Sequence, residues 1–328
     1  MKFTDNEMSV ILLCSYIGIT KKSDIKPLSL KQWNEFLEAI LKAKLEPSIV
    51  FDSSGLDLKN MGYDQQFIEN INKLVDRGAA VSFELQEYEK KGINVITEIN
   101  KNYPIMLKRE LKNKKPPVLF YSGDIMLAKK IGIGVVGSRN VSDKGIEFAK
   151  ELVLKASKEN LIIYSGGAKG VDTISETVAL NTGSAVVSYI ADSLISRIKK
   201  PAVTSNIASG SMLLLSDRKP DVGFSAGRAM VRNKYIYGSA YGTFVVESDY
   251  NKGGTWAGAT EAMKCKWGRV FVSENELEGN KKLIEQGGIP YNITERKLYD
   301  VMLEIMKKKD KEQKRYEQMD LFSFLNEK

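Results

Sequence analysis

The stretch that decides the fold is IGIGVVGSRN, residues 131–140, taken with LIIYSGGAKGVD at 161–172. Each opens as a continuous apolar run with no polar alternation, which is how a strand buried on both faces of a parallel sheet reads. Each then breaks at glycine and leads into an amphipathic stretch, as at 144–158. Repeated strand, glycine turn and helix are βα units, and chained βα units give a doubly wound, mostly parallel α/β sheet of Rossmann type. In the first turn Gly137 lets the chain leave the strand sharply, Ser138 and Asn140 offer capping oxygens, and Arg139 presents a fork for a phosphate. A plain βα turn with a solvated Arg139 would carry the same pattern. In the second turn Gly166, Gly167 and Gly170 allow backbone amides to converge on an anion, with Lys169 beside them. Asp172 falls in the first turn of the next helix, where it serves the dipole.

The same texture runs outward from these turns. Apolar runs at 93–97, 118–121, 131–136, 161–164, 185–190, 212–215, 243–247 and 269–272 are the expected strands, with helices between them, as at 254–267. Upstream the periodicity is helical: Trp33, Phe36, Leu37, Ile40 and Leu41 form one stripe, and Phe67, Ile71, Leu74 and Val75 form another. A helix over 81–90 is expected to stop at Gly92. Residues 8–19, preceded by Asp5 and Glu7, read as a first core helix, too short for a bilayer span and unlike an export signal. The expected organisation is a small helical domain at 1–90, an extended Rossmann-type domain at 91–290, and a Lys-rich helix (296–314) with a tail at 291–328. With eight Pro and no Gly/Ser linker, the two main parts should pack on each other.

Composition narrows the chemistry. The 328 residues hold 49 Lys+Arg against 41 Asp+Glu, two Cys and no His. Without His there is no Ser-His-Asp or Cys-His relay, no His-bearing zinc site and no histidine general base. Cys14 and Cys265 are too few for a disulfide framework or a Cys₄ metal site. A cytoplasmic protein without metal or cofactor is expected, and the net charge of +8 invites an anionic partner.

Two further segments extend the cationic pattern. GRAMVRNKYIYGSAYG, residues 227–242, sets Arg228, Arg232 and Lys234 among Tyr235, Tyr237 and Tyr241. Cations interleaved with aromatics suit a single-stranded nucleic acid, with phosphates neutralised and rings stacked on bases. Alternatively, the tyrosines belong to the core face of a helix and the cations snorkel from it. In VVESDYNKGGTWAGATEAMK, residues 245–264, a strand ends in Glu247 and Gly253-Gly254-Thr255 opens the next helix, a further amide-lined turn at the same sheet edge. Glu247 would bind a ribose hydroxyl, act as acid or base, or cap and orient the loop around Arg232.

In this order, VGSRN, SGGAKGVD, VRNKYI and VVES…GGT, preceded by GINVITEINKNYPIMLKRELKNKKPPVLFYSGD, resemble the DprA/Smf family of DNA-processing proteins over about residues 60–290. The resemblance implies a non-enzymatic protein that binds single-stranded DNA, dimerises through its Rossmann domain and hands DNA to a RecA-type recombinase. It assigns the DNA groove to Arg139, Ser165, Gly166, Lys169, Arg232, Asn233 and Lys234. The chain departs from the family pattern at Lys169, where Arg is usual, at Ser175-Glu176, where Ala-His is usual, and at Met230-Val231 and Lys234 in the basic run. The fold is also similar to that of LOG-type nucleoside-monophosphate phosphoribohydrolases, in which Glu247 with Gly253, Gly254 and Thr255 would hold a ribose phosphate. Outside the family match, Gln318, Met319, Asp320, Leu321 and Phe322 resemble the pentapeptide by which bacterial replication and repair proteins bind the β sliding clamp. The alternative for that tail is a terminal amphipathic turn packed on its own protein.

Overall fold

Strands β1 (Asn94–Thr97), β2 (Val118–Ser122), β3 (Gly132–Val136), β4 (Ile162–Ser165), β5 (Val186–Tyr189), β6 (Met212–Ser216), β7 (Gly242–Val245), β8 (Val270–Ser273) and β9 (Ile289–Tyr291) build one sheet in the order β1-β2-β6-β5-β4-β3-β7-β8-β9. The computed structural model of the protein describes residues 2–20, 23–52 and 54–305. From β6 through β9 every neighbouring pair is parallel, while β1 and β2 are added antiparallel at one edge. The chain lays β4, β5 and β6 to one side of β3 and then crosses back to place β7, β8 and β9 on the other. The loops leaving β3 and β7 therefore diverge, and a crevice opens at their carboxyl ends.

Successive side chains along each strand enter opposite cores, as pleating requires. Ile133, Val135, Ile163 and Phe244 are buried on one face, beneath the helices Asp143–Lys158 and Val171–Asn181. Val136, Ile162, Tyr164 and Val245 are buried on the other, beneath Ile105–Leu111, Ala226–Ser239 and Gly253–Cys265. Neighbouring strands approach so closely at β3 that a Cβ on Gly134 would lie 2.5 Å from Thr243 Oγ1. That contact accounts for a glycine inside an otherwise apolar strand.

The upstream helices join the first core through Val10, Ile11, Leu13, Trp33, Phe36 and Ile40. A buried polar hub ties them to the sheet: the Trp33 indole N–H donates to the Glu98 carboxylate, which Lys115 Nζ meets at 2.5 Å. The helix Leu30–Lys42 is closed at its start by reciprocal hydrogen bonds between Ser29 and Gln32.

The structure departs from the sequence expectations in five places. The first core helix, expected over 8–19, runs Asp5–Cys14. Leu41 is 62% exposed, because eight residues on from Trp33 it has rotated about 80° around the helix and off the buried stripe. The helix expected over 81–90 starts earlier, at Gly78, and Gly92 beyond its end has φ +72°. Strand β9 escaped notice, since its three residues include Pro290, which only an edge strand tolerates. Residues 298–305 are helical, and the rest of the Lys-rich helix expected over 296–314 lies outside the described residues, as does 318–322.

One buried cation holds the upstream helices together. The Arg77 guanidinium, 7% exposed, donates to Leu74 O at 3.1 Å, Ile17 O at 2.5 Å, Ser15 O at 3.4 Å and Leu12 O. Burial pulls its pKa down to about 10, so it stays charged at neutral pH. Arg77→Met would strand several buried carbonyls, and a loss of about 2–4 kcal/mol in urea-unfolding free energy is expected.

Candidate nucleic-acid interface

At the carboxyl ends of β3 and β7 the crevice becomes a cleft of about 440 Å³. Gly137, Ser138, Arg139 and Asn140 form the wall that follows β3, and Asp249 with Lys252, Gly253, Gly254 and Thr255 the wall that follows β7. Ala229, Met230, Arg232 and Asn233 of the helix Ala226–Ser239 close it from the side, and Asp172 reaches it from the turn after β4. The helix Gly253–Cys265 begins here with no side-chain cap on its first amides, so its positive dipole end faces the cleft. Asn233 Nδ2 donates to Gly254 O at 2.9 Å and fixes that turn.

Arg232 is the centre of the arrangement. It is 5% exposed, and its guanidinium occupies the space above Gly166, where a Cβ would lie 1.2 Å from Nη1. Asp172 Oδ2 stands 4.0 Å from Nη1, while Nε and Nη1 have no hydrogen-bond partner. Burial presses the Arg232 pKa down and the Asp172 pKa up, and the attraction between the two groups opposes both shifts. Arg232 thus lines the cleft as a buried cation whose Nε and Nη1 lack hydrogen-bond partners.

Several sequence expectations are corrected by this geometry. Amides of the SGGAKGVD turn do converge on an anion, but it is the chain's own Asp172, which Ala168 N–H reaches at 3.2 Å with Gly166 N–H adding to it. Ser165, Gly166 and Gly167 are buried and line no open groove, with Gly166 forming the floor under Arg232. The helix after VGSRN is capped internally: Gly145 N–H donates to Ser142 Oγ at 3.2 Å. Glu247 supports that cap, the capping part of its expected role, accepting Ser142 N–H at 2.9 Å and the Ser142 hydroxyl, while a different acid orients Arg232. That role belongs to Asp172. Lys169 is exposed on the turn that packs against the Ser138 and Arg139 backbone, outside the cleft walls.

The basic helix is divided in the same way. Tyr235 and Tyr237 are 2% and 1% exposed, so they are core residues and stack on no base. Tyr235 donates to Asp217 Oδ2 at 2.8 Å. Lys234 is half-buried over the Tyr235 ring at 5.2 Å, away from the cleft, and burial lowers its pKa. Arg228 donates to the Gly223 carbonyl and so orders the loop before its own helix. The helical period explains the split, because 228, 232 and 235 share one side while 234 falls on another. Glu176, at the position of the family's usual His, accepts the Ser188 hydroxyl at 2.7 Å, and burial raises its pKa.

The sequence reading missed Lys252 and Met230, both exposed at the cleft, and Arg197, whose Nη2 donates to Gly167 O at 2.7 Å behind the second turn. A Lys immediately before Gly253-Gly254 at a helix start was the available signal for the first. Arg197 carried none, since its reach across 30 residues depends on the fold.

Fold and site together define a class: a Rossmann-type protein with an arginine-centred cleft at the switch in strand order. Residues 94–301 match the family model for DNA recombination-mediator protein A, and the chain belongs to that family, the DprA/Smf proteins. It is 29% identical to the DNA processing protein DprA of Bacillus subtilis (strain 168) over 211 residues, 62% of this chain and 69% of that one. Against DprA of Streptococcus pneumoniae it is 31% identical over 139 residues, 42% of this chain and 49% of the relative. The solved S. pneumoniae DprA superposes with a TM-score of 0.65 at 23% identity, covering 89% of this chain and 95% of that one. DprA of Helicobacter pylori, whose structure is described for its unique single-stranded DNA binding mode, gives a TM-score of 0.52 at 21% identity over 66% of this chain and 96% of that one. Among the described residues no helix is long and apolar enough to cross a membrane.

The seat of Arg232 is directly testable. Gly166→Ala should cost about 1–3 kcal/mol by overpacking, and much less in an Arg232→Ala background, where the space is free. Urea unfolding of the two single variants and the double variant should therefore return a coupling above about 1 kcal/mol.

Proposed function

We propose that this chain is a non-catalytic, cytoplasmic protein that binds single-stranded DNA in the cleft, protects it and delivers it to a RecA-type recombinase, acting as a homodimer. One observation carries the DNA reading: the unpartnered N–H groups of Arg232 lie beneath a rim bearing Arg139, Lys252 and an uncapped helix N-terminus. Three cations and a helix dipole at one opening suit successive phosphates of a strand. The description of the H. pylori relative supports the choice of single-stranded DNA. Homodimerisation and recombinase delivery are part of the proposal, and the description of the family as recombination mediators supports the latter. The nucleotide-hydrolase alternative needs Glu247 as acid or base, yet both its oxygens are engaged by Ser142 beneath the helix start. That geometry favours the binder.

We further propose that Gln318, Met319, Asp320, Leu321 and Phe322 dock the tail on the β sliding clamp, with Leu321 and Phe322 filling an apolar pocket.

Two measurements test these readings. Arg139→Ala/Lys252→Ala should weaken oligo-dT binding at least tenfold at moderate salt. It should also flatten the plot of log K against log salt by about 1.4, two phosphates at about 0.7 each. An unchanged affinity and slope would remove the cleft assignment, and release of free base from a nucleoside monophosphate would remove the non-catalytic one. For the tail, Leu321→Ala/Phe322→Ala should abolish clamp pull-down, whereas retained binding contradicts docking through this segment.

A further inference from the structure

We infer that Phe224 is a base-stacking platform through which the cleft selects unpaired DNA. This deepens the single-strand reading above and rests on it. Phe224 is 56% exposed, in the connection between β6 and the helix Ala226–Ser239. Its exposure is not that of a loose loop. On one side Arg228 donates to the Gly223 carbonyl, and on the other Ser225 Oγ accepts Arg228 N–H at 3.2 Å and caps the helix. The ring is held out into solvent beside the cleft.

Its neighbour gives the ring a purpose. The Arg139 guanidinium stands over it, with Cζ 5.7 Å from the centroid, and Arg139 is itself part of the cleft wall. A phosphate bridged by Arg139 brings the base of the same or the next nucleotide within reach of Phe224. The other side carries a second exposed ring. Tyr250, also exposed, lies edge-on to Trp256 at 5.1 Å and 86°, two residues before the rim cation Lys252. A rim cation over an exposed ring suits a strand in which phosphate and base alternate.

The cations alone do not discriminate, since a duplex presents phosphates more densely than a single strand. Bases in a duplex are already stacked on one another and leave no face for an exposed ring. Tyr235 and Tyr237 are in the core and Tyr241 packs half-buried against it, so the selecting surface falls to Phe224, outside the basic helix.

The test compares an oligo-dT with an abasic strand of equal length, which keeps the phosphates and lacks the bases. Phe224→Ala is expected to bind oligo-dT about 5- to 150-fold more weakly, the range for losing one stacked base, and to bind the abasic strand as the unaltered protein does. Phe224→Trp is expected to keep the affinity and to show fluorescence quenching by oligo-dT but not by the abasic strand. An unaltered thermal midpoint for both variants establishes that they are folded. The platform is overturned if Phe224→Ala leaves oligo-dT affinity unchanged, or weakens both strands equally. Failure of the unaltered protein to bind either strand would overturn the single-strand reading itself, and the platform with it.

Discussion

The site depends on one contact, the Arg232 guanidinium resting over Gly166 beside Asp172. It joins three elements: the turn after β4, the start of the helix Val171–Asn181, and the helix that carries the chain back from β6 to β7. Only glycine leaves room for the guanidinium there. Only an acid presented at that helix start, with turn amides directed at it, makes a buried arginine tolerable. Asp172 approaches no closer than 4.0 Å, so the cation is retained while part of its hydrogen-bonding capacity stays unused. The glycine-rich turn thus serves the outside of the molecule through an internal charge pair rather than by offering its own amides.

This indirectness explains what was legible in the sequence. The parallel sheet was readable because buried strands leave continuous apolar runs, and the eight expected strands correspond to β1 through β8. Motif positions gave the right sheet edge: Gly137, Ser138, Arg139, Asn140, Arg232, Asn233, Gly253, Gly254 and Thr255 do converge on one cleft. Which atoms face it was not readable. Spacing alone does not tell whether turn amides meet an outside anion or Asp172, and alternating Tyr and Lys on a helix fit a core face as well as a groove. Lys234 and Arg232 are two residues apart, and the helical turn sends them to different surroundings. Phe224 precedes the helix and belongs to no motif, so its relation to Arg139 appears only once the strand crossover brings β6 and β3 loops together.

The departures from the family pattern acquire physical content in this frame. Lys169 keeps the charge usual at its position but sits on an exposed turn outside the cleft walls, where bidentate geometry matters less. Glu176 stands where His is usual and makes a hydrogen bond to Ser188 behind the Asp172 pair. It adds a second acid near Arg232, which favours the charged form of that arginine. At the cleft Arg139, Arg232 and Lys252 stand against Asp172 and Asp249, so the lining is cationic by one charge.

The central claim is that Arg232 is the seat on which a strand's phosphate docks. Guanidinium Nε–H resonances observed by ¹⁵N-edited NMR, during titration with a short oligo-dT, test it most directly. The account predicts that the Arg232 Nε–H signal moves strongly as the strand binds, with Arg77 unmoved as an internal reference. Saturable DNA binding that leaves the Arg232 signal in place would contradict it.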